Sequence, residues 1–223
     1  MTYLIANWKS HKTIVEAQHW LDEFSAPPHP DINLILAPPF PHLTALKQAA
    51  SSHGLSLAAQ DISPFPDGAY TGAVSARQLE GLVEYVLLGH SERRRYFHET
   101  HQDVANKVAQ ALSVNLTPIV CIDQPYLSAQ LSAIEPVYWP HLIVAYEPLS
   151  AIGTGDPEDP SRANTVARQV KDILSVDVPV IYGGSATSDN IGTFFSQPAL
   201  AGALIGQSSL DPHTFADLVK SSL

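Results

Sequence analysis

The sequence is short of cysteine and of basic residues, and each shortage excludes a class of protein. Cys121 is the only cysteine, so no intrachain disulfide can form and a reducing compartment, the cytoplasm, is expected. Twelve Lys and Arg residues against 22 Asp and Glu residues give a net charge of −10, which argues against a nucleic-acid or anionic-membrane surface. No apolar run approaches the ~18 residues of a membrane span, and the first residues lack the basic segment of a signal peptide. We therefore expect a cytoplasmic protein that binds neither nucleic acids nor membranes.

The apolar residues that are present predict a single barrel. Eight short, nearly continuous apolar runs are typical of buried parallel strands, and they begin near Tyr3, Ile32, Ser56, Tyr85, Leu116, Leu142, Val178 and Ala201. Segments of helical period lie between them, and helix-capping signals occur at Thr13 with Glu16, at Thr100, at Asp159-Pro160 and at Asp211-Pro212. Eight β-then-α units without a linker predict one α/β domain over residues 1–223, a (β/α)₈ barrel of eight parallel strands surrounded by helices.

An open, doubly wound sheet is the alternative architecture for the same alternation of strands and helices. Its dinucleotide-binding form carries a G-x-G-x-x-G turn after the first strand. The segment that follows the first strand here, NWKSHK, has no glycine. This absence weakens the dinucleotide-binding form of the alternative.

Polar residues and glycines cluster directly after the predicted strands. They are Asn7 and Lys9 after the first strand, His90 to Arg94 after the fourth, Glu147 after the sixth, Tyr182 to Ser185 after the seventh and Gly206 to Ser209 after the eighth. Taken one at a time, they fit a solvated lysine, a core-edge histidine or a tight Gly-Gly turn. In a barrel, however, all of these strand ends converge on one rim, which is where barrel active sites lie. The convergence favours a functional site.

These residue types together suit one kind of chemistry. A carboxylate at Glu147, covered by an apolar loop residue such as Ile152, is expected to have a raised pKa and to be a stronger base. Neutral His90 at a helix start can donate a hydrogen bond to a carbonyl, and Lys9 can neutralise an enediolate or a phosphate. Backbone N–H groups in YGGS, in GQSS and around Gly153 can cradle a phosphate. The set predicts proton abstraction next to the carbonyl of a small phosphorylated substrate.

The chain resembles the triosephosphate isomerase family in motifs that extend over essentially its whole length. ANWK, APPF, GAYTG, LGHSERR, CI, AYEPLSAIGTG and YGGS occur in the order in which the family has them. The resemblance implies a TIM barrel that interconverts dihydroxyacetone phosphate and D-glyceraldehyde 3-phosphate through an enediolate, in glycolysis and gluconeogenesis. It also implies a homodimer that needs neither a cofactor nor a metal.

The resemblance assigns roles to individual residues. It implies that Glu147 is the general base, that His90 is the neutral electrophile and that Lys9 is the cation that stabilises the enediolate. Asn7 orients the substrate, and Glu92 is an acid close to Lys9. The remaining assignments are a lid from Pro148 to Gly155 that includes Ile152, hydrogen bonds from Tyr182 and Ser185 that hold the closed lid, and phosphate contacts at Gly153, Ser185, Gly206 and Gln207.

Four positions depart from the family pattern. Ser150 replaces a tryptophan of the lid, Gln207 replaces the second glycine of a pair, Ala73 replaces a glutamate of the interface loop, and CIDQ replaces CIGE. These departures leave two other functions open. One is a catalytically weakened or non-catalytic paralogue that binds a phosphometabolite or a protein partner. The other is an isomerase of a different small phosphorylated carbonyl compound.

Overall fold

Eight parallel strands close into a barrel in the computed structural model, which describes residues 2–27, 29–153 and 155–222. The strands are β1 Thr2–Asn7, β2 Ile32–Ala37, β3 Leu55–Ala59, β4 Tyr85–Leu88, β5 Thr117–Ile122, β6 Ile143–Tyr146, β7 Val180–Tyr182 and β8 Gly202–Ile205. β8 closes the ring on β1 with Tyr3 opposite Gly202. Every predicted strand start lies within two residues of the observed one, and the barrel prediction is confirmed.

Helices surround this barrel in the described parts of the chain. They are α1 Ile14–Glu23, α2 Leu43–Ser52, α3 Ser91–Phe97, α4 His101–Ser113, α5 Leu127–Ser132, α6 Pro160–Leu174, α7 Ile191–Phe195 and α8 Pro212–Ser221. The four predicted caps are confirmed: Thr13 and Thr100 form capping boxes, and Asp159 and Asp211 cap helices that begin with proline. Between β3 and β4 a short 3₁₀ turn, Ala76–Leu79, replaces the expected α-helix. No described helix is both long and apolar enough to cross a membrane.

Alternation along the strands divides the core into two layers. Successive side chains of a strand point to opposite faces, so one set fills the barrel interior and the other packs under the helices. The interior set includes Ile5, Leu87, Cys121 and Ala145, all of them buried. Two residues beyond Ala145, the same period turns Glu147 towards the barrel mouth. The strand pattern therefore carries this acid into the interior end of the rim.

A cluster of four charged residues supports the rim from outside the barrel. The Lys107 ammonium lies 2.6 Å from Asp61 and also contacts Glu99, while Arg93 lies 2.8 Å from Asp61 and 3.2 Å from Glu99. Burial raises the pKa of Asp61, although Lys107 and Arg93 oppose that increase. Two cations and two anions balance, and they join the segment after β3 to α3. The cluster thereby fixes the helix that follows His90.

Candidate active site

One cavity of about 500 Å³ opens at the carboxyl ends of the strands. Ten of the twelve predicted site residues line it: Asn7, Lys9, His90, Glu92, Glu147, Ile152, Gly153, Ser185, Gly206 and Gln207. Pro148 and Tyr182 do not line this cavity; both are buried beside residues that do. The fold thus brings together side chains that are as much as 200 residues apart in the sequence, as Asn7 and Gln207 are.

Glu147 is the most deeply buried acid of the cavity, with 1% of the residue exposed. Its Oε2 accepts a hydrogen bond of 2.8 Å from the Ser91 backbone N–H. Its Oε1 lies 2.9 Å from Nε2 of His90 but receives no well-aligned hydrogen bond within the described residues. One carboxylate oxygen is therefore fixed, and the other is held only by proximity to His90.

The predicted direction of the Glu147 pKa shift is wrong for this arrangement. Burial is the largest influence and by itself raises the pKa of Glu147, but His90, the Ser91 N–H and Arg94 together outweigh it and lower that pKa below its usual value. The prediction counted the apolar covering and omitted the hydrogen-bond donors at the start of α3. At neutral pH the group is therefore a carboxylate that can accept a proton.

His90 is the N-cap residue of α3, and its ring orientation is set by that helix. Nδ1 accepts a hydrogen bond of 3.2 Å from the Glu92 backbone N–H. A ring nitrogen that accepts carries no proton, so the proton of the neutral ring lies on Nε2. Nε2 is the nitrogen that faces Glu147. His90 consequently presents an N–H donor on the cavity side.

Lys9 is held in an unusual backbone conformation by three polar contacts. Its φ of +52° lies in the left-handed region, which costs a residue other than glycine about 1–2 kcal/mol. The Asn7 side-chain oxygen accepts from the Lys9 N–H at 3.0 Å, and Gln60 donates to the Lys9 carbonyl at 2.8 Å. The ammonium lies 2.6 Å from Glu92. These contacts keep the cation at the rim.

The two glycines of YGGS are required by packing against Glu147 and the two tyrosines beside it. A Cβ on Gly183 would lie 3.0 Å from the Tyr146 carbonyl oxygen and 3.1 Å from Cγ of Glu147. A Cβ on Gly184 would lie 2.2 Å from the Tyr182 hydroxyl. Any side chain at Gly183 would therefore push against the Glu147 side chain.

The predicted lid contacts the strand-end loops on its inner side. The Ser185 backbone N–H and hydroxyl both donate to the Ala151 carbonyl, at 3.1 Å and 2.6 Å. Ile152 and Gly153 line the cavity. The Tyr182 hydroxyl accepts from the Glu158 N–H at 3.0 Å, three residues beyond Gly155. Thr154 lies outside the described residues.

Three residues around the site were not predicted. Gln60 follows β3 directly, so the strand-end pattern could have indicated it. Ser91 contributes a backbone N–H, for which no side-chain pattern exists. Cys121 is buried beside Glu147; burial raises its pKa and the Glu147 carboxylate adds to this effect, so the thiol stays neutral. Its place beside the base depends on the pairing of β5 with β6.

Comparison with known proteins gives a consistent match along the chain. The family model described as triosephosphate isomerase matches residues 2–222. The chain is 35% identical to triosephosphate isomerase of Mesomycoplasma hyopneumoniae strain 7448 (98% of each chain), and 37% identical to that of Synechococcus sp. strain JA-3-3Ab (97% of this chain, 93% of the relative). It is 36% identical to triosephosphate isomerase of Thermus thermophilus (96% of each).

The packing of Gly183 against Glu147 predicts that adding one methyl group at Gly183 lowers turnover. We expect Gly183→Ala to displace the carboxylate, and a displacement of about 1 Å costs a reaction about 10²-fold in rate. The measurement is turnover of glyceraldehyde 3-phosphate in a coupled assay, with thermal unfolding recorded in parallel.

Gly192→Ala is the matched control for this substitution. Gly192 lies within α7, and a Cβ there would meet its nearest atom at an ordinary 3.7 Å. The control variant should keep wild-type turnover and unfolding temperature. Wild-type turnover in Gly183→Ala would show that Gly183 does not position the base.

Proposed function

The chain belongs to the triosephosphate isomerase family, and we propose that its rim cavity interconverts dihydroxyacetone phosphate and D-glyceraldehyde 3-phosphate with Glu147 as the base. The observation that carries this assignment is the meeting of three groups in one cavity: the buried Glu147 carboxylate, the His90 Nε2–H donor and the Lys9 ammonium. Proton transfer beside a carbonyl needs a base, a donor to the carbonyl oxygen and a positive charge near the developing oxyanion.

In the proposed reaction, Glu147 takes a proton from the substrate carbon next to the carbonyl. The electrons of that C–H bond form a carbon–carbon double bond and the carbonyl π electrons move to the carbonyl oxygen, which gives the enediolate. The protonated Glu147 then returns the proton to the former carbonyl carbon. The hydroxyl proton of the first carbon passes to the former carbonyl oxygen, with His90 Nε2 as the proposed carrier, and the new C=O bond forms at the first carbon. Oε1 is the oxygen suited to this transfer because the Ser91 N–H holds Oε2. The lowered pKa supports the role, since the base is ionised before substrate binds.

Substrate binding is expected to strengthen this base. A substrate carbonyl competes for the His90 Nε2–H, which is one of the contacts that lower the pKa of Glu147. Once His90 donates to the substrate, burial continues to oppose the charged carboxylate while one stabilising neighbour is lost. Closure of the lid residues 148–155 over the cavity would add to this effect by excluding water.

Lys9 and the backbone donors are proposed to hold the negative charges of the substrate. Lys9 faces the cavity beside Glu92, where it can stabilise an enediolate oxygen, and Asn7 lines the cavity next to it. Gly153, Ser185, Gly206 and Gln207 also line the cavity, and their backbone N–H groups are proposed to bind the phosphate. The Ser185 N–H donates to the Ala151 carbonyl, so it must leave that carbonyl to bind the phosphate. Such donors recognise a dianion without requiring a basic protein surface.

Replacement of Glu147 tests the proposal most directly. We expect Glu147→Gln, which keeps the shape and removes the base, to lower turnover about 10²–10⁴-fold. Glu147→Asp withdraws the carboxylate by about one methylene and should cost about 10²-fold. Binding of a phosphate-bearing substrate analogue should stay within a few-fold of wild type in both variants.

The outcomes separate the functions that the sequence leaves open. Wild-type turnover in Glu147→Gln would remove Glu147 as the base. An inactive wild-type protein that still binds the analogue would identify a binding protein. Turnover of a different phosphorylated carbonyl compound in preference to glyceraldehyde 3-phosphate would identify an isomerase of another substrate.

The proposed phosphate site predicts a second effect, at Gln207. Gly206 and Gln207 open the 3₁₀ turn Gln207–Ser209 at the end of β8, and the Gln207 residue is exposed. If its side chain crowds the backbone donors, Gln207→Gly should tighten binding of inorganic phosphate several-fold, measured by calorimetry. Weaker binding in the variant would instead make the Gln207 amide a phosphate ligand. Ser196→Gly, on an exposed segment after α7, is the control.

We also propose that the protein is a homodimer. Phe65 and Tyr70 stack on each other with ring centroids 4.7 Å apart while each remains more than two-fifths exposed, and Tyr96 and Phe97 of α3 are exposed as well. Exposed aromatic side chains of this kind are typical of protein interfaces.

Sedimentation should give twice the 24.1 kDa mass of the chain. Phe65→Asp should shift the equilibrium to monomer, whereas Val15→Asp, at an exposed position on α1, should not.

A further inference from the structure

We propose that Asp123 is a positioning residue that binds the Arg94 guanidinium beside Glu147 and so keeps that positive charge from acting on the base alone. The inference deepens the proposed function, because it rests on Glu147 as the base and concerns how its neighbours adjust it. Asp123 is 1% exposed and is not among the residues that line the rim cavity. It therefore acts on the reaction through its neighbours rather than by touching the substrate.

Asp123 and Glu147 follow two neighbouring strands at the same level. Ile122 of β5 pairs with Tyr146 of β6, and the Glu147 N–H donates to the Ile122 carbonyl at 2.8 Å. Asp123 and Glu147 are the next residues of the two strands, whose backbones lie about 4.8 Å apart in a sheet. Two buried carboxylates are thus placed side by side, where the charge of each opposes ionisation of the other.

Arg94 joins the start of α3 to the end of β5. Its Nη1 donates to the carbonyls of Gly89 and Cys121, and its Nη2 donates to Oδ2 of Asp123 at 3.2 Å. Oδ1 of Asp123 receives no well-aligned hydrogen bond within the described residues. The Arg94 side chain is 12% exposed, so salt and water screen this ion pair weakly. The charge of Asp123 is therefore offset mainly by Arg94.

The two carboxylates compete for this guanidinium. Arg94 is one of the neighbours that lower the pKa of Glu147. Burial raises the pKa of Asp123, Arg94 opposes that increase, and the Glu147 charge adds to it. Because coupling between two sites is reciprocal, the charge of Asp123 raises the pKa of Glu147 in turn. Without Asp123, the Arg94 charge would act on Glu147 unopposed and would lower the pKa of the base further.

The other groups around Glu147 do not oppose Arg94 in this way. In the described parts of the chain, the titratable side chains nearest to it from β1, α3 and β5 are those of Lys9, His90, Glu92 and Cys121. Lys9 and Glu92 pair with each other, His90 accepts at Nδ1 and is neutral, and the buried thiol is neutral. β7 presents the glycines of YGGS at this level, and they carry no charge. The carboxylate that offsets Arg94 is therefore that of Asp123.

This offset matters for the rate, because the barrier to proton abstraction depends on the pKa of the base. The proposed reaction turns the His90 donor from Glu147 to the substrate, while Arg94 stays bound to the carbonyls around it. Asp123 also stays, and its charge limits the continuing effect of Arg94 on the base. Asp123 is therefore expected to speed the proton transfer and to leave substrate binding unchanged.

Replacement of Asp123 tests the effect on the rate in the full-length protein. We expect Asp123→Asn, which keeps an oxygen that accepts from Arg94 and removes the charge, to lower kcat several-fold at neutral pH and to leave KM within about twofold. Asp177→Asn is the matched control, because it makes the same replacement in the ion pair with Lys171, where the Asp177 side chain is 89% exposed. The control should keep wild-type kcat. Wild-type kcat in Asp123→Asn, or an equal loss in Asp177→Asn, would overturn the proposal.

A carboxyl titration tests the same coupling without an Asp123 variant and without an activity assay. The carbon-13 signal of the Asp123 carboxyl, assigned from its backbone resonances, is followed against pH in wild type and in Glu147→Gln. Burial and the Glu147 charge both raise the pKa of Asp123, so its midpoint should fall by about one pH unit when that charge is removed. The signal of the exposed Asp177 in the same spectra is the internal control and should keep its midpoint.

The titration separates failure of this inference from failure of the proposed function. A wild-type protein without isomerase activity would refute the function, and the shift of the Asp123 midpoint would still be measured. Equal midpoints for Asp123 in wild type and Glu147→Gln would overturn the inference whatever the activity. So would a wild-type midpoint above neutral pH, because Asp123 would then carry no charge with which to offset Arg94.

Discussion

The burial of one carboxylate at the end of β6 constrains everything around it. A charge removed from water is costly unless hydrogen-bond donors replace the water, and Glu147 receives its donors from the start of α3. That requirement fixes α3 against β6 and leaves Gly183 no room for a side chain. It also matches the neutral, buried thiol of Cys121, which adds no second negative charge beside the base. The arrangement of the rim therefore follows from the need to replace the water around the Glu147 carboxylate with hydrogen-bond donors.

The remaining acids of the rim are paired with Lys or Arg residues. The net charge of −10 is therefore not concentrated at the cavity. Glu92 pairs with Lys9, and the buried cluster around Lys107 contacts α3 with equal numbers of acids and bases. The lid is different in kind. Its described contacts to the strand-end loops are hydrogen bonds such as those of Ser185 to Ala151, which break and reform without exposing a core. The support of α3 and the contacts of the predicted lid thus arise from different interactions.

Local chemistry explains why so much of the fold could be predicted. The capping boxes at Thr13 and Thr100 act within four residues, and short, nearly continuous apolar runs are typical of parallel strands covered on both faces. Lys9, His90 and Glu147 could be singled out for the same reason, because each lies within two residues of the end of such a strand. The helix expected between β3 and β4 is instead a 3₁₀ turn, because that segment follows a long loop with few apolar residues at helical spacing.

The sequence by itself determined the barrel, the starts of its strands, four helix caps and the residues that gather at its mouth, because strand period, helix caps and chain order are local properties. Only the tertiary structure decided the lowered pKa of Glu147, the contact of Gln60 with Lys9 and the pairing of Arg94 with Asp123. Each of these depends on distances between groups on different elements of the fold. Electrostatic and hydrogen-bond energies change steeply over one or two ångströms, and that spacing exists only once the barrel has closed.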